Sequence, residues 1–387
     1  MKKNKQFLVI TGEKSGELLA VDVIKELKKI GSFEFIGTGS ELLKKEGVTL
    51  IEFIDKMAVV GIVEVFKAYG FLKKLMRKIL DIIKEQKIDY VLLVDYPGFN
   101  LRLAKEIKKI NKHINVFYLV SPQIWAWNYK RIQIIKKNVD FMFVLFPFEK
   151  EIYEKENIPC EWIGHPMRFR IQKEIRKQIP IKVKGKPIIG ILPGSRFSEV
   201  SRLLIPMLEG AELIQKKYPK AEFLVPVLSS DKNLYNFVNE ICMQKKNLKL
   251  RIVPDASLRV MKESDLLILA SGTATLEASY FKKPMIICYK VNYLSYFIFG
   301  FLIKTKFIGL PNLLSKEQVA LELLQNEVNP KFIFNEAMKI LQDENYKKRI
   351  LKSLSKIQFA PKNQNPAKTT AEIIKTLIRR KKYEAST

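Results

Sequence analysis

Apolar residues occur along the chain in short unbroken runs, separated by stretches with helical polar–apolar spacing. The runs at 7–10, 90–94, 116–120 and 141–145 fall in the first half, and those at 188–192, 222–226, 266–269 and 285–288 in the second. Such a run leaves a strand no polar face, so it predicts strands buried on both sides, as in a parallel sheet covered by helices. Alternation with helical segments predicts an α/β class. Each half opens with a strand, then a Gly/Ser loop, then a helix. That layout predicts two doubly wound Rossmann-like domains facing a cleft, with ligand held at the carboxyl ends of the strands.

The segment 168–186 is charged, poor in large apolar residues after Ile171, and ends in Gly185-Lys-Pro187. It is where a linker is expected, which gives domains at 1–170 and 187–360, a linker at 171–186, and a C-terminal helix with a basic tail at 361–387. In the helical stretch before residue 84, Val65, Tyr69, Leu72, Met76, Ile79 and Ile83 form one stripe and are predicted to face the core. Phe66, Phe71, Leu75 and Ile82 lie off it, which predicts a second apolar face turned to an anionic membrane interface.

Composition narrows the classes. Of 387 residues, 47% are hydrophobic and 28% charged, which excludes bulk disorder. Cys160, Cys242 and Cys288 are unclustered and odd in number, so neither a disulfide framework nor a thiolate zinc site is expected, and a reducing cytoplasm suits them. Two histidines, His113 and His165, do not build a His-rich metal site. The net charge is +28, with 55 Lys against 13 Arg. The lysines are scattered and not clustered with aromatics, which favours solvated faces or an anionic membrane over a nucleic-acid partner. The run at 7–10 is far shorter than a signal core, and the most apolar window, 293–303, is 11 residues against the roughly 20 a spanning helix needs. A soluble or membrane-surface protein is expected.

Candidate chemistry sits at the strand ends. Ala270-Ser-Gly-Thr-Ala-Thr-Leu-Glu277 follows a strand and opens a helix, where small residues allow close approach of an anion to free N–H groups. Glu277 lies about one and a half turns further on, where a carboxylate can accept ribose hydroxyls; an ordinary helix cap is the alternative. Leu192-Pro-Gly-Ser-Arg196 repeats the layout, and Arg196 offers a guanidinium fork for phosphate oxygens. Two such loops in one half point to a diphosphate. In the first half, Asp95 ends a buried strand, either facing the cleft or capping the next helix. Thr11-Gly-Glu-Lys-Ser-Gly-Glu17 forms the first strand–loop–helix junction, and Trp125 and Trp127 either wall a sugar or acyl site or belong to the core. The chain has no Asp-x-Asp, so no simple acidic pair for a metal diphosphate; neutralisation falls to Arg and helix ends.

These motifs together resemble the lipid A disaccharide synthase family, inverting glycosyltransferases of the GT-B type. The resemblance runs through Gly12-Glu-Lys-Ser-Gly16, Gly61-Ile-Val-Glu-Val65, Asp95-Tyr-Pro-Gly-Phe-Asn-Leu-Arg102, Val120-Ser-Pro, Trp125-Ala-Trp127, Pro147-Phe-Glu149, Ile163-Gly-His-Pro166, Leu192-Pro-Gly-Ser-Arg196, Ser271-Gly-Thr273 with Leu276-Glu277, and Leu310-Pro-Asn-Leu-Leu314. It implies condensation of UDP-2,3-diacylglucosamine with 2,3-diacylglucosamine 1-phosphate (lipid X) to a β-1,6-linked disaccharide, with no cofactor and no metal. The first domain would take the acceptor and meet the inner membrane from the cytoplasm, and the second would take the UDP-sugar. A second copy of the chain is a candidate partner. The general base is expected to be Asp95, with Glu13 as a second catalytic carboxylate and rival, and His165 as another rival. UDP is expected on Ser195, Arg196, Ser271, Gly272, Thr273, Ala274, Thr275, Glu277 and Asn312. The acceptor is expected on Ser15, Asn100, Trp127 and Arg131. The sequence departs from the family pattern at Glu17, usually Asp, at Gly98, usually acidic, and at Asn128, commonly Arg. Another GT-B lipid-linked sugar transferase, such as one making the peptidoglycan lipid precursor, is the alternative within the class; a basic nucleic-acid-binding protein is the alternative outside it.

Overall fold

The structure is a computed structural model that describes residues 5–54, 62–126, 128–292, 306–361 and 364–384. Two units divide the chain: residues 1–166 with 359–387, and residues 167–358.

The first unit holds a seven-stranded sheet of β1 (Lys5–Thr11), β2 (Phe33–Gly39), β3 (Val48–Phe53), β4 (Ile88–Val94), β5 (Asn115–Leu119), β6 (Phe141–Val144) and β7 (Cys160–Trp162). Every pairing is parallel, in the order β3-β2-β1-β4-β5-β6-β7. The second unit holds β8 (Ile188–Leu192), β9 (Glu222–Val227), β10 (Leu250–Pro254), β11 (Leu266–Ala270), β12 (Met285–Tyr289) and β13 (Leu321–Leu324). They form a parallel sheet ordered β10-β9-β8-β11-β12-β13. Both sheets wind outward in two directions from a pair of central strands, which is the Rossmann arrangement.

The central strands are those whose apolar runs are unbroken. Phe7, Leu8, Val9 and Ile10 are fully buried, and β8 and β11 are buried along their whole length. Helices cover both faces, as such strands require. Helix Lys14–Ile30 turns Leu19, Ala20, Val23, Ile24 and Leu27 inward and ends on Lys28 and Lys29, which suits the negative end of its dipole. The C-terminal helix Pro366–Glu384 packs against it, so the chain's last helix belongs to the first unit. The expected linker opens differently: 171–175 completes helix Met167–Ile175, because Met167 and Ile171, one turn apart, are both buried. Arg259, on helix Ser257–Glu263, anchors that helix end by donating to Ile175 O at 2.9 Å and also to Gln178 O.

The helix Ile62–Glu85 corrects the expected membrane face. Leu75, Ile79 and Ile83 are buried at 3%, 0% and 5% exposure in the first unit's core, and Phe71, Leu72, Met76 and Ile82 pack partly buried against it. Ile79 and Ile83 thus bear out the expected core stripe, which widens to take in Leu75, since 75, 79 and 83 repeat at i+4. Leu75 thus belongs to the core and not to a membrane surface, whereas Phe71 is only partly buried there. The expectations for the side chains of Val65, Phe66 and Tyr69, and for 293–303, lie outside the described residues. Leu75→Ala is expected to destabilise the chain by about 2–5 kcal/mol in urea unfolding, as buried leucine truncations do.

Candidate active site

In an open parallel sheet, ligands bind where the strand order reverses, beyond the carboxyl ends of the two central strands. The order places that point between β1 and β4 in the first unit and between β8 and β11 in the second. Four loops follow: Gly12–Glu13, Asp95–Tyr96, Pro193–Arg196 and Ser271–Gly272. The motifs singled out in the sequence occupy all four.

In the first unit the two loops press together. A Cβ on Gly12 would meet the Tyr96 ring at 2.3 Å, so only glycine permits this approach. Asp95 and Tyr96 both adopt left-handed backbone with φ of 49°, an uncommon conformation for residues with side chains. The surroundings hold it. Asp95 N donates to Leu119 O at 2.9 Å, and Asp95 O accepts from the Tyr118 hydroxyl at 2.7 Å and from Asn100 Nδ2 at 2.8 Å. The Asp95 carboxyl is pushed up to about 6, by burial first and by the negative charge of Glu13 second, against a stabilising backbone N–H of Tyr96. A carboxylate with its affinity for protons raised in this way is suited to general-base work near neutral pH.

The expected acceptor residues divide. Ser15 is exposed in the first turn of helix Lys14–Ile30, beside exposed Glu13 at its cap. Arg131 is half-buried, and its positive charge acts on the Tyr118 hydroxyl that holds Asp95. Asn100 requires a correction: it is fully buried, and its Nδ2 is committed to Val94 O at 3.2 Å and Asp95 O at 2.8 Å. Through Nδ2 it braces the Asp95 turn from inside the core, while its Oδ1 is buried without a partner. Trp127 lies outside the described residues. His165, a rival base, lies with its ring tilted against Phe146, centroids 5.5 Å apart, and its backbone N–H donates to Phe359 O at 2.7 Å. Glu149 was visible only as part of a motif. Buried and pushed up to about 7, it accepts from Leu145 N and Phe146 N, both at 3.1 Å, and from Trp125 Nε1 at 3.3 Å. It thereby ties together the loops that follow β5 and β6.

In the second unit the switch point opens into a cavity of ≈ 540 Å³. Ser195 and Arg196 line it from the end of β8; Ser271, Gly272, Thr273, Ala274 and Glu277 line it from the end of β11. Helices Phe197–Lys217 and Thr273–Tyr280 both begin at this wall, and neither cap residue, Arg196 or Gly272, makes a side-chain capping bond. Glu199 N and Thr275 N already donate to the cap carbonyls Arg196 O at 2.9 Å and Gly272 O at 3.1 Å, so the N–H groups of Phe197, Ser198, Thr273 and Ala274 are the ones left for a ligand, with the positive dipole ends behind them. Gly272 has φ of 155° with open space around the Cβ position, a backbone that a side chain would strain. The Arg196 side chain is 80% exposed, and its Nη1 donates to Glu199 Oε1 at 3.4 Å. Glu277 is buried and pairs with Arg170 of helix Met167–Ile175. Sequence reasoning missed Arg170, because it lies in the charged stretch taken as a domain boundary.

Two expected nucleotide residues are corrected. The Thr275 hydroxyl is buried and donates to Gly272 O at 2.7 Å, closing the turn from inside. Asn312 is fully buried and saturated: Nδ2 donates to Ala320 O at 2.8 Å and Glu322 Oε1 at 2.7 Å, and Oδ1 accepts from Val319 N at 2.7 Å and Ala320 N at 2.9 Å. Asn312→Ala is expected to cost about 1–3 kcal/mol of stability, the penalty of stranding buried backbone groups, and to leave UDP affinity unchanged when both are measured by calorimetry.

Two Rossmann-like units of this order define a fold of the GT-B type, the class of many nucleotide-sugar enzymes. The fold is close to that of a putative UDP-N-acetylglucosamine 2-epimerase from Listeria monocytogenes, with a TM-score of 0.63, 13% identity, and 98% of each chain covered. Sequence resolves the family within that class. The chain belongs to the lipid-A-disaccharide synthetase family, whose sequence model matches residues 7–376. It is 36% identical to the lipid-A-disaccharide synthase of Coxiella burnetii over 384 residues, covering 97% of this chain and 99% of that one. It is 37% identical to the Nitrosococcus oceani enzyme over 343 residues, covering 87% of each. Membership makes this a glycosyltransferase of lipid A disaccharide synthesis.

Proposed function

We propose that the chain transfers the 2,3-diacylglucosamine of a UDP-sugar to the 6-hydroxyl of 2,3-diacylglucosamine 1-phosphate, with inversion, giving a β-1,6-linked disaccharide 1-phosphate and UDP. Within family membership, the observation that carries the reading is the pair of switch-point sites: a proton-accepting carboxyl on the first unit and an anion-ready cavity on the second. Asp95 takes the proton of the acceptor hydroxyl as that oxygen forms its bond to the sugar C1. The bond from C1 to the diphosphate breaks, and its electron pair leaves with UDP. Charge grows on the leaving group as this happens, so the donors around it contribute most in the transition state. Those donors are Arg196, the Ser195 and Ser271 hydroxyls, and the N–H groups around Gly272, Thr273 and Ala274. Glu277 accepts from the ribose. Glu13 raises the basicity of Asp95, and Ser15 and Arg131 stand on the acceptor side.

Both substrates carry acyl chains, so the chain is proposed to work at an anionic cytoplasmic membrane surface, to which its charge of +28 would draw it. Among the described residues, no helix is long and apolar enough to cross a membrane. Both the stereochemistry and the metal-free assignment are tested by running the transfer in excess EDTA and reading the product's anomeric proton by NMR. Sustained turnover with β coupling is expected. An α product would overturn inversion, and loss of activity restored by Mg²⁺ would overturn the metal-free assignment.

A further inference from the structure

The cavity of the second unit contains a charged contact that neither the motifs nor the family resemblance singled out. Arg170, on helix Met167–Ile175, donates through Nη2 to Glu277 Oε1. The same two helices meet again where Gln172 Nε2 donates to the Tyr280 hydroxyl at 3.3 Å, so the contact lies in a defined seam. Glu277 is only 9% exposed, whereas the Arg170 side chain remains 44% exposed. Burial favours the neutral acid at Glu277, and the charge of Glu174 pushes the same way; Arg170 opposes both. The Arg170 Nε also lies 4.0 Å from Glu174, so one guanidinium stands between two carboxylates that both belong to the cavity wall.

This matters for a ligand with paired hydroxyls. An ionised carboxylate only accepts, and ribose hydroxyls donate to it; a neutral carboxyl gives up one of its acceptor positions to a proton. With Oε1 engaged by the guanidinium, Oε2 is the oxygen left for a ligand. We propose that Arg170 is a positioning residue for nucleotide recognition, fixing the Glu277 carboxylate so that its free oxygen takes the ribose 2′-hydroxyl. The proposal rests on the reading of this cavity as a nucleoside diphosphate site. It also explains why arginine suits the position: a planar fork serves Glu277 and Glu174 from one side chain, whereas an ammonium is a single point charge.

The test is calorimetric titration of the full chain with UDP and with 2′-deoxy-UDP, for the wild type, R170M, R170K and E277Q. The wild type is expected to prefer UDP by on the order of tenfold, the usual loss for a hydrogen bond to a charged group. In R170M the preference should fall below about threefold, mainly through weaker UDP binding, and R170K should recover part of it. Adding R170M to E277Q should change the preference no further, because the two act as one unit. R170Q provides a second neutral variant if R170M does not fold. An undiminished preference in the neutral variants overturns the role of Arg170 while leaving the cavity assignment standing. A wild type that does not bind UDP, or does not distinguish the two nucleotides, overturns the reading of the site and the proposal with it.

Discussion

Asp95→Asn is expected to lower turnover by about 10²–10⁴-fold, the usual contribution of a positioned base, with UDP affinity unchanged. Asparagine suits the site in every respect but one. It tolerates the left-handed backbone at φ of 49°, and the bonds from Asn100 and Tyr118 go to the residue 95 carbonyl, which remains. What is lost is the carboxylate's charge and with it the ability to take a proton. Because the carboxyl is held up to about 6, wild-type kcat/KM should rise with pH through that value and then level off. Glu13→Gln removes the neighbouring negative charge, so the rise should begin at lower pH. The stability sign runs the other way. A carboxyl raised from its ordinary 3.8 contributes stability that is full below about 4 and lost as pH rises through about 6. Asp95→Asn should therefore raise Tm at pH 8 and leave it nearly unchanged at pH 4.

Arg196→Ala is expected to reduce kcat by about 10²–10³-fold, the range seen when a donor to developing charge is removed. The side chain is 80% exposed and pairs at 3.4 Å with Glu199 in the first turn of the helix it caps, so Tm should not move. Arg196→Lys should recover only part of the loss, since an ammonium cannot fork across two phosphate oxygens. A KM increase at constant kcat would instead mean that Arg196 binds donor and transition state equally well.

How much of this was legible in the sequence depended on burial on both faces. The unbroken runs became the inner strands β1, β4, β8 and β11, with β5, β6, β9 and β12. The strands that escaped notice include β3, β7, β10 and β13, which are the four sheet edges. Edge strands are half solvated and carry Glu52, Glu161, Arg251 and Glu322, so their apolar pattern is diluted. β2 is internal but contains Gly37, where a Cβ would strike Val9 O at 1.8 Å, and glycine weakens any strand signal.

Where a motif sat on a loop at a central strand end, sequence and topology pick out the same positions, as at Asp95, Arg196 and Ser271–Gly272. Sequence failed where a polar side chain had to serve the fold. Asn100, Thr275 and Asn312 are near the expected loops, but each satisfies buried backbone groups, and an amide or hydroxyl does not reveal in sequence which way it faces. Leu75 failed for a related reason: an apolar helix has several possible stripes, and only the packed sheet selects one. Arg170 was hidden because a basic residue in a charged stretch looks solvated until the fold brings Glu277 beside it.

The central claim is that this chain joins two acylated glucosamine units. Its most direct test is mass spectrometry of the products formed by the purified full chain from UDP-2,3-diacylglucosamine and 2,3-diacylglucosamine 1-phosphate. The account expects a disaccharide 1-phosphate appearing in step with UDP, and no disaccharide when the acceptor is omitted. UDP released in the presence of acceptor without any disaccharide, or donor returned only as an isomer, would contradict it.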